Sequence, residues 1–260
     1  MSDSWMFRVI PMFVVTFLMW SGLRVVVEAQ SDEPTATVHE SFGCTSEVQV
    51  SLSNVSGRIL VTPSTGNVVD ISAVKHAANT DALSKISVVI DRNGSPVNDV
   101  HIRTHYNRDS KGGGSVEYTL SVPRRAVLRL WNVTGSIMAS GFTNDVTVND
   151  IAGNVTVENI DGNLKVETVN GGILASLTRF PDHRIVRLHS VTGPLSLAIP
   201  RDTGAAVKAQ SISGEFHSDF PLTVKSEMIG SHVDGRIGHG DGWINLETIS
   251  GSMELKSLGR

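Results

Sequence analysis

Residues Val133 to Ile173 read VTGSIMASGFTNDVTVNDIAGNVTVENIDGNLKVETVNGGI, and the pattern apolar-x-Gly-x-apolar occurs four times within them. The copies are VTGSI (Val133 to Ile137), IAGNV (Ile151 to Val155), IDGNL (Ile160 to Leu164) and VNGGI (Val169 to Ile173). A small or polar residue followed by Gly can enter a left-handed or bulged geometry and turn the chain between two strands. Between the glycines the alternation has period two, as in Val155 and Val157 with Thr156 and Glu158 opposite, which is a strand pattern.

Outward from this stretch the pattern recurs at VSGRI (Val55 to Ile59), VTGPL (Val191 to Leu195), ISGEF (Ile212 to Phe216), VDGRI (Val233 to Ile237) and ISGSM (Ile249 to Met253). The nine turn glycines are Gly57, Gly135, Gly153, Gly162, Gly171, Gly193, Gly214, Gly235 and Gly251. From Gly135 their spacings are 18, 9, 9, 22, 21, 21 and 16, a unit of about nine or twice that. Repeats of this length bury an apolar face only by stacking on their neighbours. The expected fold is all-β, a single-domain β-solenoid resembling a parallel β-helix, in which the apolar residues on both sides of each glycine face the core. The alternative is an antiparallel β-sandwich, because DG and NG dipeptides between apolar runs also signal hairpins.

Composition agrees with a sheet. The hydrophobic fraction is 40% with only 5% aromatic, so Val, Ile and Leu must fill the interior. A net charge of -4 supplies no basic footprint, which disfavours nucleic acid as a partner.

Residues 1–29 read as a signal peptide. Arg8 precedes an apolar run from Val9 to Gly22, Arg24 ends it, and Val27-Glu28-Ala29 offers a cleavage site after Ala29, with Met6 as an alternative start. The run is short and interrupted, so no stable membrane span is expected in the mature chain; an uncleaved anchor is the alternative. The expected location is therefore periplasmic, cell-surface or extracellular. Residues 30–36 read as a flexible segment and 37–260 as the domain, with a less regular entry part over 37–122 and regular repeats over 123–260. Cys44, the single cysteine, can form no intramolecular disulfide and reads as a buried strand residue. In the entry part, Thr80 to Lys85 predicts a short helix capped by Thr80 or Asp81, followed by a strand at Ile86 to Ile90. Lys111 to Gly114 reads as a loop tip before a strand from Val116 to Val122, which Pro123 ends.

The run SVEYTLSVPRRAVLRLWNVTGSI, the ladder IAGNV, IDGNL, VNGGI, the run LSLAIPRDTGAAVKAQSISGEFHSDFPL and the closing GRIGHGDGWINLETISGSMEL together resemble the putative adhesin family of bacterial envelope proteins, a domain of unknown function. The resemblance covers most of the chain beyond the signal segment. It implies an exported, envelope-associated β-solenoid with no known active site, although the lipobox and C-terminal anchor found among similar proteins are not recognisable here.

Candidate chemistry is sparse. Asp145, Asp150, Glu158, Asp161 and Glu167 lie on neighbouring repeats and would form a paired-carboxylate site if they aligned in one groove. Asn144-Asp145 and Asn149-Asp150 suggest calcium turns, but the nonapeptide calcium signature is missing. His101 and His105 have helical metal spacing, yet on the strand expected there they stand about 13 Å apart. His183, His189, His217, His232 and His239 are scattered, and there is neither a nucleophile elbow nor a phosphate-cradling loop. The expectation is a non-enzyme with no catalytic residues, cofactor or metal. It would present solenoid faces to an envelope protein, a glycan or its own copies. The alternatives are a carbohydrate-active enzyme on the same architecture and a scaffold or sensor in an envelope-stress pathway.

Overall fold

A computed structural model describes residues 33–107, 113–222, 224–226 and 230–259. The expected signal peptide, and Lys111 and Gly112 of the KGGG loop tip, lie outside the described residues. The chain begins with β1 (Thr35–Ser53), β2 (Ile59–Ser64), β3 (Val68–Ala77), the one-turn helix α1 (Thr80–Ser84), β4 (Ile86–Gly94), β5 (Val97–Tyr106) and β6 (Gly114–Pro123). The regular part comprises β7 (Val127–Trp131), β8 (Ile137–Ser140), β9 (Val146–Asn149), β10 (Val155–Ile160), β11 (Leu164–Asn170), β12 (Ile173–Leu177), β13 (Ile185–Thr192) and β14 (Leu195–Ile199). It ends with β15 (Ala205–Ser213), β16 (Phe216–Ser218), β17 (Val224–Ser226), β18 (Ser231–Ile237), β19 (Gly242–Ser250) and β20 (Met253–Ser257).

These strands form a two-sheet β-solenoid. One coil is a front-sheet strand, a glycine corner, a rear-sheet strand and a return. β8, β10, β12 and β14 stack in parallel in the rear sheet, with Ile137 beside Val155, Val155 beside Ile173 and Ile173 beside Leu195. β7, β9, β11 and β13 do the same in front. Ile137, Val155 and Ile173 are 18 residues apart, so the coil is 18 residues. The nine-residue glycine spacing arises because Gly153 and Gly162 sit at the two corners of one coil. This parallel stacking rules out the antiparallel sandwich; antiparallel pairs occur only towards the ends, where β3 lies on β6, β4 on β5 and β18 on β15.

Spatial order departs from sequence order at both ends. The second half of β1 lies between β5 and β7, and β2 lies between β6 and β8. At the other end β19 lies between β13 and β15, and β20 between β14 and β16. The glycine corners therefore stack as Gly57, Gly135, Gly153, Gly171, Gly193, Gly251 and Gly214. A Cβ on each from Gly135 onward would strike the carbonyl of the glycine before it. At Gly135, with φ +124°, that Cβ would lie 2.4 Å from the Gly57 oxygen. Gly162 belongs to the opposite corner against Asn144, while Gly235 lies within β18 opposite Val207 instead of at a turn.

The interior is aliphatic, from Val48 and Val50 in β1 to Met253 and Leu255 in β20, with Tyr118 and Phe142 the largest fully buried side chains. Cys44 is buried in β1, where desolvation raises its thiol pKa. Two local expectations need correction. Asn79 caps α1 instead of Thr80 or Asp81: its Oδ1 accepts from Ala82 N at 2.8 Å, one residue upstream because that residue is the one with extended backbone. Thr35 and Ala36, expected in a flexible segment, pair with His76 and Lys75 in the rear sheet.

Candidate interaction surface

The glycine corner sets which side chains turn inward. The apolar residue two places after each glycine is buried, as at Ile59, Ile137, Val155, Ile173, Leu195, Phe216 and Met253. The residue two places before it, expected in the core, faces solvent at the seven stacked glycines: Val55, Val133, Ile151, Val169, Ile249 and Ile212 are 39–51% exposed, and Val191 is half-buried, whereas Ile160 before Gly162 and Val233 before Gly235 are buried as expected. The turn consumes one residue, so the inward phase passes to the position three before the glycine.

That position is polar in every coil. In spatial order the row is Asn54, Asn132, Asp150, Thr168, Ser190, Thr248 and Ser211, all buried. Tight corners turn glycine carbonyls inward, and the row supplies donors to them. Asn132 Nδ2 donates to the Gly57 and Gly135 carbonyls at 3.2 and 3.0 Å, Ser190 Oγ to Gly171 at 3.1 Å and Ser211 Oγ to Gly251 at 3.3 Å. Next to the row's first member, Thr104 Oγ1 donates to Asn54 Oδ1 at 2.9 Å and lies 2.7 Å from Tyr118 Oη, whose own pKa burial pushes up to about 12. Sequence reasoning missed this row, although the small polar residue three before each glycine was its signal.

Asp150 is the exception. Only 4% exposed, it is the one carboxylate in a row of amides and hydroxyls. Both its oxygens, together with Asn132 Oδ1 and Thr168 Oγ1 on the adjacent coils, have no hydrogen-bond partner. Burial pushes its pKa up to about 6, against a weaker downward pull from the neighbouring Ile151 amide. The folded state thus holds the proton more tightly than the unfolded chain. Asp150's contribution to stability is full below pH ~4 and is lost as pH rises through about 6, by up to ~3 kcal/mol. Asp150→Asn, which can donate as Asn132 does, is expected to raise the melting temperature at pH 8 and to flatten its fall between pH 5 and pH 8; a variant with the wild-type slope would refute this assignment.

The other carboxylates do not converge. Glu167 faces outward on the front sheet, Asp145 is exposed in the turn before β9, and Glu158 lies on β10 of the rear sheet. Asp161 is buried at the return corner, ion-paired with Arg179 and, at 3.6 Å, with Arg184. The common groove required by the enzymatic alternative is not formed by these residues. Asp145 Oδ1 accepts from the Asn163 amide and side chain, each at 3.1 Å, which ties Asn144-Asp145 into the turn. His101 lies on β5 and faces Asp99, with Nε2 2.9 Å from its carboxylate, and His105 is exposed on the same strand. His189 faces Glu247 at 3.6 Å and His217 faces Glu215 at 3.2 Å. Among the described residues no three His, Cys, Asp or Glu side chains gather as metal ligands, and no helix is long and apolar enough to cross a membrane.

The front sheet carries the most organised outward surface. Strand register aligns Arg129, Thr147, Lys165, Arg187, Asn245 and Lys208 in one row. A second row runs Trp131, Asn149, Glu167, His189, Glu247 and Gln210. Trp131 and Trp243, at opposite corners of this field, are 38% and 40% exposed, and strand spacings place them roughly 23 Å apart. With its amide oriented to satisfy both neighbours, Asn149 accepts from Trp131 Nε1 at 3.1 Å and donates to a Glu167 carboxylate oxygen at 2.9 Å. The indole edge is thereby held within the row. Between the tryptophans lies a shallow depression of about 220 Å³ lined by Asp145, Thr147, Asn163, Lys165, Ile185 and Arg187.

A two-sheet solenoid with long polar outward rows defines a class of scaffold whose distinctive chemistry lies on extended faces. Residues 134–256 match the Toastrack DUF4097 family. Among solved structures, a putative cell adhesion protein from Clostridium sporogenes is similar at a TM-score of 0.50 and 14% identity, over 86% of this chain and 100% of that one. This likeness supports the fold. A putative adhesin from Bacteroides fragilis aligns over 85% of this chain and 97% of its own at 11% identity and a TM-score of 0.28. Comparison with curated proteins returns no match.

Proposed function

We propose that the protein is an exported, non-catalytic binding protein of the cell envelope whose front sheet takes an extended glycan. The observation that carries this reading is the pair of half-exposed tryptophans flanking rows of Arg, Lys, Asn, Gln and Glu. Aromatic faces offer large, rigid apolar area at low entropic cost, and sugar rings present apolar C–H faces between hydroxyls. The side-chain carboxylates, amides and guanidinium groups supply acceptors and donors for those hydroxyls. A flat face repeating every coil suits a polymer that also repeats. The signal-like residues 1–29 and the adhesin-like neighbours support export and envelope association.

The test is binding of the purified protein to insoluble peptidoglycan and to soluble polysaccharides, followed by sedimentation and calorimetry. Trp131→Ala and Trp243→Ala are each expected to weaken binding about tenfold without unfolding the protein, because both side chains are partly exposed. No binding to any glycan, or unchanged binding by the double variant, would overturn the reading.

A further inference from the structure

An aliphatic ridge runs over the stacked glycine corners. In spatial order it runs Val55, Val133, Ile151, Val169, Val191, Ile249 and Ile212, one β-branched residue per coil. On its rear-sheet side Met138 and Leu174, 44% and 45% exposed, widen it. A soluble protein ordinarily scatters its exposed aliphatic residues, and aligning them is the mark of a contact.

We infer that this ridge is the interface of a two-fold symmetric dimer, in which two copies pack ridge to ridge with their coils running in opposite directions. Three observations select a second copy as the occupant. The ridge repeats at the strand spacing of about 4.8 Å, and a surface with that same period lets the branched side chains mesh along the whole length. The other copy provides it. Next, reversing the row about its central member, Val169, sets Val55 against Ile212, Val133 against Ile249 and Ile151 against Val191. Each larger side chain then faces a smaller one, so the two ridges keep an even separation. With the rows running in the same direction, Ile would meet Ile and Val would meet Val, and contact would be uneven. Finally, the ridge with Met138 and Leu174 exposes on the order of 700 Å² per copy, close to the roughly 800 Å² per partner of a standard interface. A two-fold contact of this kind is self-complementary and closes at two copies.

This inference does not depend on glycan binding, because Trp243 and the cationic row of the front sheet lie off the ridge. Analytical ultracentrifugation of the purified protein is expected to give about twice the mass of a single chain at high micromolar concentration. The double substitution Ile151→Glu and Val169→Glu, at solvent-facing positions, is expected to give a monomer with an unchanged circular dichroism spectrum. Oxidative cross-linking reads the register. Val169→Cys is expected to form an intermolecular disulfide with its own copy. Val55→Cys alone is expected to form none, and Val55→Cys combined with Ile212→Cys to cross-link. A monomeric wild type, a dimer that survives the folded charged variant, open-ended oligomers, or cross-linking through Val55→Cys alone would each overturn it. Trp243→Ala should leave the dimer intact while weakening glycan binding, so the two proposals fail separately.

Discussion

Gly135→Ala is expected to cost at least about 3 kcal/mol of folding stability and to lower the melting temperature by roughly 6–12 °C. The new methyl group would sit 2.4 Å from the Gly57 carbonyl oxygen and 2.8 Å from its carbon, both backbone atoms that the corner stack fixes. The φ of +124° adds conformational strain for any residue with a Cβ. Relief requires separating two coils, which also pulls Asn132 Nδ2 from the Gly57 and Gly135 carbonyls. Gly66→Ala is the control, because a Cβ there meets nothing within 4 Å and its backbone conformation is ordinary. Thermal unfolding followed by circular dichroism distinguishes them. Equal melting temperatures for the two variants would mean that close stacking at the corners does not limit the fold.

Deleting residues 242–260 is expected to be more damaging still. In a solenoid whose order in space follows the sequence, removing the last coil forfeits one coil-to-coil interface. Here β19 and β20 lie between two earlier coils, so their loss strips neighbours from β13 and β15 in front and from β14 and β16 behind. Backbone groups on four strands lose partners at once, and unpartnered buried polar groups are costly. The truncated chain is expected to lose its single cooperative unfolding transition, with limited proteolysis cutting between Ala205 and Ser218 while the coils around Val155 stay protected. A shortened protein melting cooperatively within a few degrees of the full chain would contradict the interleaved order.

Strand identity, glycine corners and the 18-residue coil were legible in residues 133–173 because period-two alternation and the small-residue-Gly step act locally. Two things were not. The phase shift at the corner sent Val133 and Ile151 outward: residues four apart share a face on a straight strand, and the pattern carries no mark of the residue that the turn consumes. Coil order at the ends was equally hidden. The glycine interval between Gly193 and Gly214 resembles that between Gly171 and Gly193, yet the coil bearing Gly251 lies between the first pair. Pairing of distant strands is decided by which interior faces fit, and local spacing does not record it. The front-sheet field was only partly readable, since Trp131 and Trp243 stand 112 positions apart in the chain and share a face through the stacking of intervening coils. The alternating charges around Lys165 and Glu167, by contrast, announce an outward row directly.

The interleaved ends also constrain how proteins of this build can change length over evolutionary time. A duplicated 18-residue unit added beyond either terminus would have no open slot to enter, because the terminal strands are already wedged one coil inside the stack. The tolerant place for such an addition is the block from Val146 to Leu177, where each coil touches only its sequence neighbours. Relatives longer or shorter than this chain should therefore differ by whole coils in the middle, with both wedged ends retained.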